Sequence, residues 1–107
     1  RVVRLAEDTI VEKLETPIYV ADLCDAAGVS ERTLRNAFQS VYGMSPIRFL
    51  QLRRLHQVRR ALRSDSAASV TEVALRHGFV NLGRFAAEYR QLFGESPSLT
   101  RRNAGFR

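Results

Sequence analysis

The chain has 107 residues with 45% apolar residues, six glycines and no tryptophan, which is enough for one compact domain or two very small ones. No run of about 18 apolar residues and no charged-then-apolar leader is present, so we expect neither a membrane span nor a secretory signal. The net charge of +6 favours a polyanionic partner such as nucleic acid.

Helical periodicity predicts three helices in the first part of the chain. The first ends at Thr16-Pro17, because proline disfavours helix in the residue before it. The second covers residues 18–27 and is closed by Gly28, and Ser30 caps the third, which ends at Gly43. The expected inward residues are Val3, Ala6, Ile10, Leu14, Val20, Leu23, Cys24, Ala27, Leu34, Ala37, Phe38 and Val41.

A long fourth helix follows. Ser45 supplies its N-cap and Pro46 its first residue, and it runs to about Leu62 before the polar stretch "SDSAAS". Its inward stripe is expected to contain Ile47, Leu50, Leu55, Val58 and Leu62.

Three shorter helices complete the prediction of an all-α fold with seven helices. Ser69 and Glu72 form a capping box for the fifth, Asn81 caps the sixth, and Ser96-Pro97 begins the seventh. The fifth ends at Gly78 and the sixth at Gly94. The expected inward residues are Val73, Ala74, His77, Phe85, Ala86, Tyr89 and Leu92.

The chain repeats one unit. "GVSERTLRNAFQSVYGMSP" starts at Gly28 and "GFVNLGRFAAEYRQLFGESP" at Gly78, with an offset of 50 before the turn and 51 after it. The second copy therefore has one extra residue in the loop after Gly78. We divide the chain into a first unit (1–45), a linker helix (46–63) and a second unit (64–107).

Each unit has the pattern of a helix-turn-helix. Small residues, Cys24 and Ala74, allow two helices to cross closely, and the glycine that follows permits a turn with positive φ. The outer face of the next helix can then enter a major groove. The basic residues fit this interpretation, since residues 1–31 hold only three of 17, and all but one of the 17 are arginines. Charge alone does not decide the point, because arginine-rich proteins are common in organisms with GC-rich genomes.

Three stretches, "YGMSPIRFLQLRRLHQVRRAL", "VTEVALRHGF" and "FGESPS", resemble the C-terminal DNA-binding domain of the AraC/XylS family of bacterial transcription regulators. The resemblance covers about residues 5 to 102. It implies two helix-turn-helix subdomains (homeodomain-like) on a linker helix, with recognition helices in successive major grooves. It also implies a missing N-terminal effector or dimerisation domain. A linker of about 17 residues is roughly 25 Å long, compatible with one DNA turn of about 34 Å.

The resemblance places the base-reading positions of the first recognition helix on Arg32, Arg35 and Asn36, which suit guanine and adenine. The alternative for each is a solvated surface residue. Ser30 and Thr33 suit a phosphate at the helix start, although Ser30 is equally well explained as a plain N-cap.

The second recognition helix departs from the family pattern, because Gly83 and Ala87 stand where polar or basic groups are expected. Arg84 is its best base contact and Asn81 the next, and Leu82 could contact a thymine methyl. Alternatively, this half mainly contacts the DNA backbone, which positions the protein without adding sequence specificity. Arg48, early in the linker, is our phosphate contact outside the recognition helices.

No enzyme is predicted, since the chain has no glycine-rich phosphate loop and no histidine–nucleophile grouping. His56 and His77 lack partners at ligand spacing, so we predict no metal and no cofactor. Cys24, the single cysteine, excludes an internal disulfide, fits a reducing cytoplasmic compartment and is expected to be a small core residue.

The predicted partner is double-stranded promoter or operator DNA, and we expect no association with a membrane. A non-specific polyanion- or RNA-binding helical domain is the alternative, but it would not explain the repeat. The resemblance adds activation through RNA polymerase, for which the acidic first helix is a candidate surface. We expect this chain to be monomeric; the missing domain is a candidate dimerisation module.

Overall fold

In the computed structural model, which describes residues 1–13, 18–64 and 68–104, the chain forms seven α-helices and no strand within those ranges. The all-α prediction with seven helices is confirmed. The helices are α1 (Val2–Glu12), α2 (Val20–Ala27), α3 (Glu31–Tyr42), α4 (Pro46–Arg63), α5 (Val70–Arg76), α6 (Leu82–Phe93) and α7 (Pro97–Ala104). Within the described ranges, no helix combines the length and the apolar character needed to cross a membrane.

The chain divides into two compact units, Arg1–Arg53 and Arg54–Arg107, so α4 contributes residues to both. The three-part division of the sequence into 1–45, 46–63 and 64–107 stays a prediction. The predicted burial of Leu14, the predicted helix end at Thr16-Pro17 and residues 65–67 of the polar break lie outside the described residues.

The first unit packs α1, α2, α3 and the beginning of α4 around one apolar core. Leu34 and Phe38, one turn apart on α3, are fully buried in it. Phe38 also contacts Phe49 of α4 edge to face, with ring centroids 5.4 Å apart. The buried members of the core are Val3, Ala6, Ile10, Ile18, Leu23, Leu34, Phe38 and Leu50.

The second unit contains the remaining part of α4 together with α5, α6 and α7. The buried residues of that part, Leu55, Val58 and Leu62, have the same spacing of three and then four as Val3, Ala6 and Ile10. The Tyr89 hydroxyl of α6 donates a 2.8 Å hydrogen bond to Thr100 of α7, and both residues are buried.

Four of the described residues that the sequence predicts to face inward are exposed: Val41, Ile47, Ala86 and Leu92. Ile47 and Ala86 each follow a buried residue directly, so they lie about 100° further around the helix, at the edge of the buried face. Val41 (61% exposed) and Leu92 lie in the last turns of α3 and α6. Both α3 and α6 have 12 residues, whereas the preceding helices, α2 and α5, have eight and seven. The apolar periodicity of α3 and α6 therefore continues beyond the end of the shorter helix that would cover it.

Leu34→Ala and Val41→Ala test this assignment on a single helix. We expect Leu34→Ala to lower the free energy of unfolding by about 2–5 kcal/mol, because it leaves a cavity in the core. Val41→Ala should change it by less than about 0.5 kcal/mol, as for other exposed substitutions. Urea unfolding followed by circular dichroism measures both, and similar losses from the two variants would contradict the described core.

Candidate nucleic-acid interface

The two turns of the repeat share one backbone geometry. Gly28 has φ 68° and Gly78 φ 89°, in the left-handed region that glycine adopts without a Cβ penalty. After each glycine the chain closes back on the preceding helix. The Val29 N–H donates to the Cys24 carbonyl at 3.1 Å, and the Phe79 N–H donates to the Ala74 carbonyl at 3.0 Å. This is the Schellman arrangement, and it fixes the direction in which the chain leaves both turns.

The helices that follow the turns begin in the same way. The Ser30 hydroxyl accepts a hydrogen bond from the Thr33 N–H at 3.2 Å, and the Asn81 side-chain oxygen accepts one from the Arg84 N–H at 3.0 Å. Because Phe79 matches Val29 at an offset of 50 and Asn81 matches Ser30 at 51, the extra residue of the second copy is Val80.

The outer face of α3 carries the predicted base-contact residues. Arg32, Arg35 and Asn36 are exposed and lie at i, i+3 and i+4, so they share one face of the helix. The Arg35 guanidinium donates to the Glu31 carboxylate at 3.2 Å, and both side chains are about 60% exposed. Exposed pairs of this kind contribute about 0–1 kcal/mol, so little energy is lost when Arg35 exchanges Glu31 for another acceptor.

The outer face of α6 has a different character. Asn81, Leu82 and Arg84 are exposed as predicted, but Asn81 already uses its side-chain oxygen as the N-cap. Arg84 approaches Glu88 with a nitrogen–oxygen distance of 3.6 Å, so it too is held only weakly. Gly83, Ala86 and Ala87 occupy the positions that correspond to Arg32, Arg35 and Asn36.

The three predicted phosphate contacts are all exposed. Ser30 is the N-cap of α3, and its hydroxyl also donates to the Thr33 hydroxyl at 3.1 Å. The structure thus gives Ser30 a local role in capping. Arg48 lies in the first turn of α4, where its backbone N–H donates to the Ser45 hydroxyl at 3.1 Å and its side chain is exposed.

The cysteine and the two histidines contact neighbouring groups of the protein itself. Cys24 is partly buried and packs against the core of the first unit, and burial raises the pKa of its thiol, with smaller contributions from the carboxylates of Glu31 and Asp25. His77 is buried, with Nδ1 2.8 Å from the Val73 carbonyl oxygen. His56 is exposed and contacts Phe93 edge to face. Across residues 1–13, 18–64 and 68–104, no group of three or more potential ligands could hold a metal ion.

Two outward residues of the second unit are absent from the predicted site. Ala86 is predicted to face inward but is exposed. Its equivalent in the first copy at the offset of 51 is Arg35, which is predicted to face outward, so a comparison of the two copies predicts the exposure of Ala86 correctly. Val80 is 85% exposed at the turn before α6. The alignment of the two copies identifies Val80 as the added residue. It does not predict that Val80 is exposed, because the first copy has no equivalent residue.

Comparisons with known proteins agree with this geometry. Residues 23–103 match the family described as "Helix-turn-helix domain". The "Probable thc operon regulatory protein" of Rhodococcus erythropolis is 44% identical over 99% of this chain, which covers 32% of that protein, so the chain spans about a third of its length.

Solved structures match as well, among them the following two. A probable AraC family transcriptional regulator from Rhodopseudomonas palustris CGA009 has 38% identity and a TM-score of 0.91, with 96% of each chain covered. The DNA-binding domain of AdpA, solved in complex with a target DNA, has 30% identity and a TM-score of 0.81, covering 95% of this chain and 90% of that one.

The raised pKa of Cys24 predicts slow alkylation. At pH 8 a smaller fraction of this thiol is thiolate than in an unfolded chain, and the thiolate is the reactive form. We therefore expect iodoacetamide to react more slowly with the folded chain than with the chain in urea. We also expect the rate of the folded chain to rise at a higher pH. A profile of rate against pH that is identical for the two states would contradict the described environment.

Proposed function

Because the chain belongs to the AraC/XylS family of helix-turn-helix transcription regulators, we propose that it binds double-stranded DNA sequence-specifically, as the DNA-binding part of a bacterial transcription regulator. The observation that carries this proposal is the repeated turn, in which the same glycine geometry and helix cap are followed twice by an exposed helix face. A helix-turn-helix uses such a face to reach base edges in the major groove.

In this proposal α3 is the main reader of sequence. The guanidinium groups of Arg32 and Arg35 donate to guanine, and the Asn36 amide pairs with adenine. The exposed ion pair between Glu31 and Arg35 supports this role. The pair keeps the guanidinium on the outer face of α3, and it is weak enough for the guanidinium to bind a base instead. The hydroxyl of Thr33, the helix start at Ser30 and the exposed side chain of Arg48 face the phosphates and set the position of the helix.

The second recognition helix, α6, enters the next major groove in this proposal, with Asn81, Leu82 and Arg84 toward the DNA. The exposure of all three residues and the matched N-cap support that orientation. The charge distribution supports a DNA partner as well, because 14 of the 17 basic residues follow residue 31.

For the whole protein, we propose a cytoplasmic regulator that acts at promoters or operators as an activator. The relative from Rhodococcus erythropolis has a name that refers to an operon, and this chain covers 32% of its length. RNA polymerase is the proposed protein partner. The acidic residues of α1, which include exposed Asp8 and Glu12, form the proposed surface. We propose a monomer for this chain and assign any dimerisation to other parts of the full-length protein.

Arg35→Ala tests the reading of bases by α3. On a site selected by the wild-type chain, we expect a loss of about 1–3 kcal/mol, because a bidentate base contact disappears. On random-sequence DNA the loss should be much smaller. Fluorescence anisotropy titrations with both duplexes measure the difference, and Arg4→Ala, which removes an exposed charge from α1, is the control. Equal losses on the two DNAs would make Arg35 a backbone contact and favour non-specific polyanion binding.

Arg48→Ala tests the proposed phosphate contact. We expect binding to all duplexes to weaken to a similar extent, because a phosphate contact carries no sequence information. The slope of log K against log salt concentration should become shallower by about one unit, since one fewer counterion is released. Titrations from low to near-physiological salt measure this slope. An unchanged slope would remove Arg48 from the interface.

A further inference from the structure

The two recognition helices have equal lengths and matched caps but different side chains at three equivalent outward positions. Both have 12 residues, begin at a side-chain N-cap and end at a glycine in the left-handed region. Equivalent positions can therefore be compared one by one at the offset of 51. The outward positions hold Arg32, Arg35 and Asn36 in α3 and Gly83, Ala86 and Ala87 in α6.

At these three positions the outer face of α6 is thus small and apolar where that of α3 is polar. A Cβ added at Gly83 would meet only the Asn81 side-chain oxygen at 3.8 Å, so this surface is open on its outer side. Glycine and alanine present no group that could donate or accept a side-chain hydrogen bond, and they let a flat surface approach the helix backbone closely.

Two larger apolar side chains stand at the start of this face. Leu82, the first residue of α6, is 36% exposed, and Val80, the extra residue of the second turn, is 85% exposed. The N-terminal residues of a recognition helix are those that meet base edges. Val80 takes no place in the buried core, so its side chain is available for a contact outside the unit.

The major groove offers one apolar partner for such side chains, the 5-methyl group of thymine. Contact with it removes both apolar surfaces from water and needs no hydrogen bond. We propose that the second helix-turn-helix reads thymine through this methyl group, with Val80 and Leu82 as the specificity-determining residues and Gly83, Ala86 and Ala87 allowing close approach. This inference rests on the proposed DNA-binding function and assigns the base that its second half recognises.

The test replaces thymine by deoxyuridine, which removes the methyl group and keeps the base pair. The duplex is the site that the wild-type chain selects from random DNA. Substitution in the half bound by α6 should weaken binding about four-fold for each contacted methyl group, because burial of one CH₂ group is worth about 0.8 kcal/mol. The same substitution in the half bound by α3 should have a smaller effect.

A double variant, Val80→Ala with Leu82→Ala, links this loss to the two side chains. The variant should discriminate thymine from deoxyuridine duplexes much less than the wild-type chain does, because most of the apolar surface that covers the methyl group has been removed. Val11→Ala, which truncates an exposed valine on α1, is the matched control and should keep the full sensitivity to deoxyuridine.

The outcomes separate this inference from the function on which it rests. A selected second half without thymine, or one in which deoxyuridine costs the wild-type chain nothing, overturns the methyl reading and leaves DNA binding by α3 intact. Undiminished sensitivity to deoxyuridine in the double variant overturns the assignment to Val80 and Leu82. If the wild-type chain selects no sequence at all, the proposed function and this inference both fail.

Discussion

The closed glycine turn is the constraint on which the rest of each unit depends. A left-handed residue at Gly28 or Gly78 lets the next N–H return to the carbonyl of Cys24 or Ala74. With the turn fixed, the following helix can bury Leu34 and Phe38, or Phe85 and Tyr89, and must present its other face to solvent. The backbone geometry of the closed turn, which occurs once in each copy, therefore helps to set which face of the following helix is exposed.

Much of this could be predicted because the signals are local. Ser30, Asn81 and Ser69 cap the helices that they were predicted to cap, since an N-cap needs only a polar side chain next to three free N–H groups. The failures arise where a residue's surroundings depend on other elements. Val41 and Leu92 continue an apolar period past the end of the helix that would cover them. The exposure of candidate site residues follows from the register, whereas their contacts with DNA stay predictions.

The two copies have diverged inside as well as outside. In the first unit, Phe38 packs against Phe49, an apolar contact between α3 and α4. In the second, the equivalent residues, Tyr89 and Thr100, form a buried hydrogen bond, and the Thr100 hydroxyl donates to the Glu95 carboxylate. Burial raises the pKa of Tyr89, in keeping with a hydroxyl that stays protonated and donates this hydrogen bond. The same backbone arrangement thus accommodates different buried contacts and different exposed faces in the two units. Each unit can therefore acquire its own DNA sequence specificity.

We propose that the repeated turn presents two helices that read DNA. Selection of bound sequences from random duplex DNA by the purified chain, at near-physiological salt, tests it most directly. We expect two enriched boxes, one for each recognition helix, at the spacing of about one helical turn that the resemblance to AraC/XylS DNA-binding domains implies. Binding without enrichment, or a single box beside unselected sequence, would contradict it.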